Sequence, residues 1–358
     1  MNLLIINTAK NGGRAECAYH INKYARNSDG FNDYFIIFPS KVSNLNKWDS
    51  LESDYECLKL DFHSLNPFTI IKNLFEIKKF YKNNKIDNVL FTATHPLSLL
   101  YMSIFNKNNI STVIHDPLVK LNEKFFDKNI LISFYFYLVN NLIERFSDKI
   151  ILLSRAFIDI YREKYTNKEV IHMPHGFFDD FLTSSNNKKF DICFAGRITK
   201  YKGLDLLISA VEKLDDKYSV VIAGSGNDLC LDKLTSKENY TLFNEWISDK
   251  KLCDIISSSK IVVLPYRSAS QSGVITLSQA CSVPVITTNV GGLGEQVTDS
   301  VDGLVIQKEN EELLVTAIVS LLESNDKYYS MVNELDLKKD KLSWANITKK
   351  LMNDLGRR

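Results

Sequence analysis

Two cations stand five residues apart in the segment Phe194-Ala195-Gly196-Arg197-Ile198-Thr199-Lys200-Tyr201-Lys202-Gly203-Leu204. An apolar run ends there, a glycine permits a tight turn, and a helical pattern starts at about Gly203. A helix N-terminus offers unpaired N–H groups and the positive end of a dipole, so it favours anions. Arg197 and Lys202 beside it would straddle a diphosphate, the arginine bidentately and the lysine as a point charge. Surface cations are more often merely solvated, so this segment needs support from its neighbours.

Support comes from the order of the turns that follow. Val221-Ile222-Ala223-Gly224-Ser225-Gly226 runs a strand pattern into glycines, a weak phosphate signal alone. Asn244-Glu245-Trp246-Ile247-Ser248-Asp249 precedes an amphipathic helix that Ser248 is placed to cap. Leu264 to Val274 takes a strand through a polar loop into a helix, and Pro284 to Glu295 ends a strand in the double glycine 291–292. In the N-terminal half, Asn11-Gly12-Gly13 follows the first apolar run and Val113-Ile114-His115-Asp116 ends another. His95 and His175 also stand at strand ends.

These residues need a frame. Strand patterns at 2–7, 33–38, 88–92, 111–115, 149–153 and 169–173, then 190–195, 218–223, 240–243, 261–264, 284–287 and 303–306, alternate with helical ones such as 203–213, 249–258, 274–282 and 309–324. That alternation predicts an α/β chain of parallel sheets whose strands are buried on both faces. The polar stretch Thr183 to Lys189 predicts a boundary between two Rossmann-like, doubly wound domains at 1–182 and 188–340. A C-terminal helix at 341–358 would cross back to the first domain. Two such sheets would face a central cleft with their carboxyl ends, where folds of this kind bind ligands.

Composition narrows the functions. The 358 residues include 44 basic and 43 acidic ones, a balance that argues against a nucleic-acid partner held by a general positive field. Six scattered cysteines without a C-x-x-C pair read as reduced thiols. The apolar start Met1 to Ile6 reads as a buried strand rather than a leader. The greasiest stretch, Ile130 to Val139, is about half the length needed to span a bilayer. A cytoplasmic location follows as the expectation. No Asp-x-Asp dyad or His/Cys pair at ligand spacing is visible, so neither a metal nor another cofactor is expected. Asn11-Gly12-Gly13 also lacks the Gly-x-Gly-x-x-Gly fingerprint of a dinucleotide site.

Taken in order, Gly-Arg-x4-Lys-Gly, Ala-Gly-x-Gly, Gln-Ser-Gly-Val and Pro-Val-Ile…Gly-Gly-x-x-Glu between about 190 and 308 resemble the retaining glycosyltransferases of family 4 (glycosyl transferases group 1), which have the GT-B fold. The resemblance implies transfer of a sugar from a nucleotide-sugar, a UDP-sugar favoured, to a saccharide or lipid-linked acceptor. Bacterial surface polysaccharide synthesis (O-antigen, capsule or lipopolysaccharide) at the inner face of the cell membrane would be the setting. Arg197 and Lys202 match the pair that neutralises the leaving diphosphate. Gly12 and Gly13 match a glycine loop near the donor phosphates, and Gly224 the glycine turn. His115 matches a histidine beside the donor sugar. Trp246 and Ile247 fall where the nucleobase is held, and Gly273, Val274 and Ile275 where helix amides face phosphate and sugar. Where members carry two glutamates with seven residues between them, this chain has Gln271 and Gln279, which would meet the sugar and the ribose, and the loop is about two residues longer. A sugar-nucleotide epimerase of the same fold, or a non-catalytic nucleotide-sugar-binding subunit, stays open beside the transferase.

The segment Pro67 to Lys85 bears on the acceptor. Lys72, Lys78, Lys79, Lys82 and Lys85 stand there against one acid, Glu76, interleaved with Phe68, Ile70, Ile71, Leu74, Phe75, Ile77, Phe80 and Tyr81, and aromatics recur at 134–137. Such helices suit an anionic membrane surface. A core helix with a solvated lysine face has the same pattern, and the sequence leaves the two open.

Overall fold

The computed structural model describes residues 1–105, 109–117, 130–177, 187–214, 217–234 and 237–357. The chain divides into two compact units, residues 1–175 with 344–358, and residues 176–343. The crossing therefore falls at His175–Gly176, ahead of the polar stretch expected to mark it, of which 183–186 lie outside the described residues. The second crossing falls at Ser343–Trp344, so the C-terminal helix belongs with the first unit.

Unit 1 is a seven-stranded parallel sheet. Its strands are β1 (Asn2–Ile6), β2 (Asp33–Pro39), β3 (Glu56–Leu60), β4 (Asn88–Phe91), β5 (Ile110–Ile114), β6 (Lys149–Leu152) and β7 (Glu169–His172), in the order β3-β2-β1-β4-β5-β6-β7. The helices are α1 (Gly12–Ala25), α2 (Leu45–Asp49), α3 (Pro67–Asn83), α4 (Ser98–Met102), α5 (Ile130–Phe146), α6 (Ile158–Lys164) and the returning α13 (Trp344–Gly356). Leu3, Leu4, Ile5 and Ile6 are buried on both faces of the sheet, as a central parallel strand must be. Right-handed crossovers put α1 on one face and α3 to α6 on the other. Asn66 caps α3 by accepting from the Phe68 N–H at 2.9 Å, with Pro67 at the first helical position.

Strand β3 is absent from the sequence-based expectations. It is the edge strand, only Leu60 of its five residues is buried, and Glu56 and Lys59 face solvent. Lys59 pairs there with Asp49 at 2.9 Å and Glu52 at 2.8 Å. A half-polar edge carries no continuous apolar run to read.

Unit 2 is a six-stranded parallel sheet of β8 (Phe190–Ala195), β9 (Val220–Ala223), β10 (Tyr240–Phe243), β11 (Ser259–Leu264), β12 (Val285–Thr288) and β13 (Gly303–Ile306), ordered β10-β9-β8-β11-β12-β13. Helices α7 (Leu204–Glu212), α8 (Asp249–Ser257), α9 (Gly273–Ala280), α10 (Leu293–Gln296), α11 (Glu311–Leu322) and α12 (Asn325–Lys338) cover it. Ser248 caps α8 and Asn310 caps α11. One core of buried Ile, Val, Leu and Phe side chains runs through the whole unit. Both sheets reverse their strand order beside the first strand, between β1 and β4 and between β8 and β11.

Candidate functional site

In unit 2 the chemistry-bearing residues leave the carboxyl ends of the strands on either side of that reversal, where a crevice forms in open α/β sheets. Past β8 the chain turns at Gly196 (φ +119°), and the Gly196 and Ile198 N–H groups continue the ladder to Ala223 and Ser225 carbonyls at 2.9 Å. A β-carbon on Gly224 would lie 1.9 Å from the Gly196 carbonyl oxygen, and one on Gly226 2.0 Å from that of Ile198. Gly224 therefore permits backbone to lie on backbone beneath the turn.

Arg197 is exposed at the head of this turn, with Tyr201 Oη 3.5 Å from its Nη2. Lys202 closes the following 3-10 turn, its Nζ 3.6 Å from the centroid of the buried Tyr266 ring, a cation–π contact. Gly203 (φ +71°) opens α7 under the next strand's loop, and a β-carbon there would lie 2.1 Å from the Pro265 carbonyl oxygen. Arg267 fastens the turn from that loop. Its N–H donates to the Tyr201 carbonyl at 2.8 Å and its Nη1 to the Lys200 carbonyl at 2.7 Å. Its guanidinium grips Asp205 bidentately at 2.8 and 2.9 Å. Burial would raise the Asp205 carboxyl, but Arg267 outweighs it and holds that group below its usual range. Nothing in the spacing announced Arg267, because the groups it holds at this turn lie 62 to 67 residues away.

The N-terminus of α9 lies against the same turn: a β-carbon on Gly196 would meet Tyr266 Oη at 3.6 Å and Val274 Cγ2 at 3.9 Å. No side chain caps α9, whose first turn is Gly273, Val274 and Ile275, and the Ile275 side chain packs in the core. Gln296 positions this end, accepting from the Ser272 N–H at 2.8 Å and donating to its carbonyl at 3.1 Å. Sequence reasoning also missed Gln296.

Gln271 is half-buried and its Oε1 has no hydrogen-bond partner. Gln279 is 1% exposed, its Nε2 donates to the Gln296 carbonyl at 2.7 Å, which braces α10, and its Oε1 has no hydrogen-bond partner. Trp246 is 78% exposed beyond β10, an open aromatic face, whereas Ile247 packs on the core. Asn244 Oδ1 accepts from the Gly226 N–H at 3.0 Å, tying that loop to the glycine turn.

In unit 1, Gly12 (φ +71°) opens α1 in the left-handed conformation that favours glycine, and a β-carbon on Gly12 or Gly13 would meet nothing. No side chain caps α1. His115 follows β5, 5% exposed, with Nε2 2.9 Å from the Thr92 carbonyl oxygen. A carbonyl only accepts, so Nε2 carries the proton. Burial, helped by Arg14, pushes the imidazole down to about 4, and the ring is neutral at pH 7. Arg14 itself pairs with Asp116 at 2.6 Å. Among the described residues no group of His, Cys, Asp and Glu is arranged to hold a metal ion. No helix among them is long and apolar enough to cross a membrane.

Comparison with known proteins places these observations. Residues 178–335 match the family model described as glycosyl transferases group 1. An uncharacterized glycosyltransferase of Methanocaldococcus jannaschii is 30% identical over 173 residues, 46% of this chain and 46% of its own. The chain thus spans less than half the length of such curated relatives. Among solved structures, an Anabaena protein in complex with UDP and glucose has a TM-score of 0.75 at 15% identity, covering all of both chains. WaaG, a glycosyltransferase involved in lipopolysaccharide biosynthesis, has a TM-score of 0.67 at 14% identity over 99% of each chain. These likenesses show the fold expected from the sequence, α/β with two doubly wound units of the GT-B kind.

Proposed function

We propose that the chain is a retaining glycosyltransferase that moves a sugar from a nucleotide-sugar, a UDP-sugar first among candidates, to a saccharide or lipid-linked saccharide acceptor. The observation that carries this reading is the meeting of the Arg197–Lys202 turn with the uncapped first turn of α9 at the crevice of unit 2. A nucleoside diphosphate leaves with growing negative charge. Two fixed cations and a helix N-terminus would stabilise that charge without reorganising during the reaction. Trp246 offers an aromatic face to the base. Gln271, whose buried side-chain oxygen has no hydrogen-bond partner, would meet sugar hydroxyls. The UDP and glucose bound by the Anabaena protein favour a UDP donor, and the motif order favours retention.

Synthesis of a surface polysaccharide at the inner face of the cell membrane is the setting we favour, on the likeness to a lipopolysaccharide enzyme. Phe68 and Phe75, 83% and 71% exposed on α3 beside the exposed Lys72, Lys78, Lys79 and Lys82, support peripheral contact with an anionic surface.

The test is a thermal-shift screen across UDP-, GDP-, ADP- and dTDP-sugars, followed by product analysis with and without acceptor. Stabilisation by one donor and a new glycoside are expected. A donor converted to its epimer alone, or bound and never consumed, would replace the transferase reading. Stabilisation by none would reject it.

A further inference from the structure

Unit 1 has its own strand-order reversal, between β1 and β4, and a second group of titratable side chains gathers there apart from His115. His63 comes from the loop after β3 and His95 from the loop after β4, their ring centroids 5.1 Å apart at 81°. Both backbones are pinned. Asp61 Oδ1 accepts from the His63 N–H at 3.3 Å, and Ser98 Oγ accepts from the His95 N–H at 3.1 Å. His95 Nδ1 accepts from the Leu97 N–H at 3.2 Å, which leaves the proton of the neutral ring on Nε2. Lys10, exposed on the loop after β1, has no acidic partner among the described residues. Lys41 stands on the margin, 3.5 Å from the other oxygen of Asp61.

The charges do not balance. Lys10 and Asp61 both act on His63, Lys41 reaches the same carboxylate, and both its oxygens are already engaged. Burial and then Lys10 lower the His63 imidazole, against the pull of Asp61 and the Thr8 carbonyl. Burial and then His63 lower His95 to about 4. Burial first, and then a neighbouring positive group, keeps each imidazole from its charge; a bound anion would offset the second effect and a neutral sugar would not. A phosphoryl group brings both negative charge and several acceptor oxygens for Lys10 and the His95 Nε2–H.

We propose that Lys10, His63 and His95 form a binding site for a phosphoryl group of the acceptor, at the switch-point crevice of unit 1. The word acceptor rests on the transferase reading; the anion chemistry does not. The phosphoryl group could be carried by a sugar or by a prenyl chain.

The test uses the full chain with Arg197→Ala and Lys202→Ala, which silence the other anion site, and follows the imidazole Cε1–H NMR signals, assigned through His63→Gln and His95→Gln. Saturating inorganic phosphate should raise the titration midpoints of His63 and His95 by about one pH unit, a tenfold linkage between phosphate and proton binding. Phosphate affinity should accordingly rise as pH falls, and Lys10→Ala should weaken it about tenfold at a single charge contact. Displacement of phosphate by glucose 1-phosphate or by farnesyl diphosphate identifies the carrier, and either outcome supports the site. Unmoved midpoints, equal movement with methyl glucoside, or unchanged affinity in Lys10→Ala would overturn it. None of these signals requires a nucleotide-sugar, so failure here is distinct from failure of a donor to bind or react.

Discussion

Gln296 holds the main chain of Ser272 from both sides, accepting from its N–H and donating to its carbonyl. Ser272 is the last residue before α9, so this clamp sets the direction of the amides that would face donor phosphates. Gln296→Ala removes both bonds and should cost about 1–3 kcal/mol in folding stability, the range for two neutral hydrogen bonds. It should also weaken UDP binding, because the first turn of α9 is released. Chemical denaturation and UDP titration read the two effects. Unchanged UDP affinity would show that α9 keeps its aim without the clamp.

The cation pair makes the larger kinetic prediction. Arg197→Ala and Lys202→Ala should each lower kcat/KM by about two orders of magnitude, the effect of losing one preorganised charge contact in a comparable site. Lys202→Ala also strips the cation from Tyr266 and should destabilise the fold by about 1 kcal/mol. Near wild-type turnover in both variants would dismiss the phosphate clamp.

The two glutamines should separate. Gln279 is interior and bonded to the Gln296 carbonyl, so Gln279→Ala should lower the melting temperature and leave donor KM little changed. Gln271→Ala should leave stability near wild type and lower kcat, because an interaction with the transferred sugar matters most in the transition state. A raised donor KM in Gln279→Ala, with stability intact, would restore the ribose contact expected from sequence.

His115 predicts a pH dependence. Its imidazole sits at about 4 in the folded protein against an ordinary value of 6.5. The folded state thus binds the proton less tightly than the unfolded one. Its contribution is fully present above pH 6.5 and is lost as pH falls toward 4, by about 3 kcal/mol at most. Urea melts of wild type and His115→Gln at pH 7 and pH 5 should converge at the lower pH. Parallel losses in both proteins would assign the acid sensitivity to other groups.

Membrane contact is tested by cosedimentation with liposomes. Binding to anionic vesicles should be measurable at low salt and fall as salt rises, because exposed lysines are screened. Replacing Phe68 and Phe75 with serine should abolish it, since both rings are free to insert. Equal binding to neutral vesicles would reject the electrostatic reading.

What was legible in the sequence was whatever is local. The strands of unit 2 announce themselves as short apolar runs because both sheet faces are covered, and Gly196 and Gly203 mark turns where the backbone needs a positive φ. The cation pair stood out because both members ride on one turn. Arg267, Gln296 and Gln279 were not legible in these roles. Each acts on main chain that only folding brings near, 66 residues away for Arg267 and Tyr201 and 24 for Gln296 and Ser272. His63 was hidden for a related reason, because the edge strand that delivers it has no apolar run.

The return of α13 to unit 1 has a consequence for synthesis. Trp344 is buried there with its ring stacked 5.5 Å from that of His20, and the Met352 carbonyl lies so close to Gly30 that no β-carbon would fit. Unit 2 is one continuous stretch and can close as soon as it leaves the ribosome. Unit 1, whose strands are translated ahead of it, waits with the α1 surface bare until residues 344–356 emerge. A stop codon after Ser343 would spare every residue of unit 2 and leave unfinished the unit translated before it.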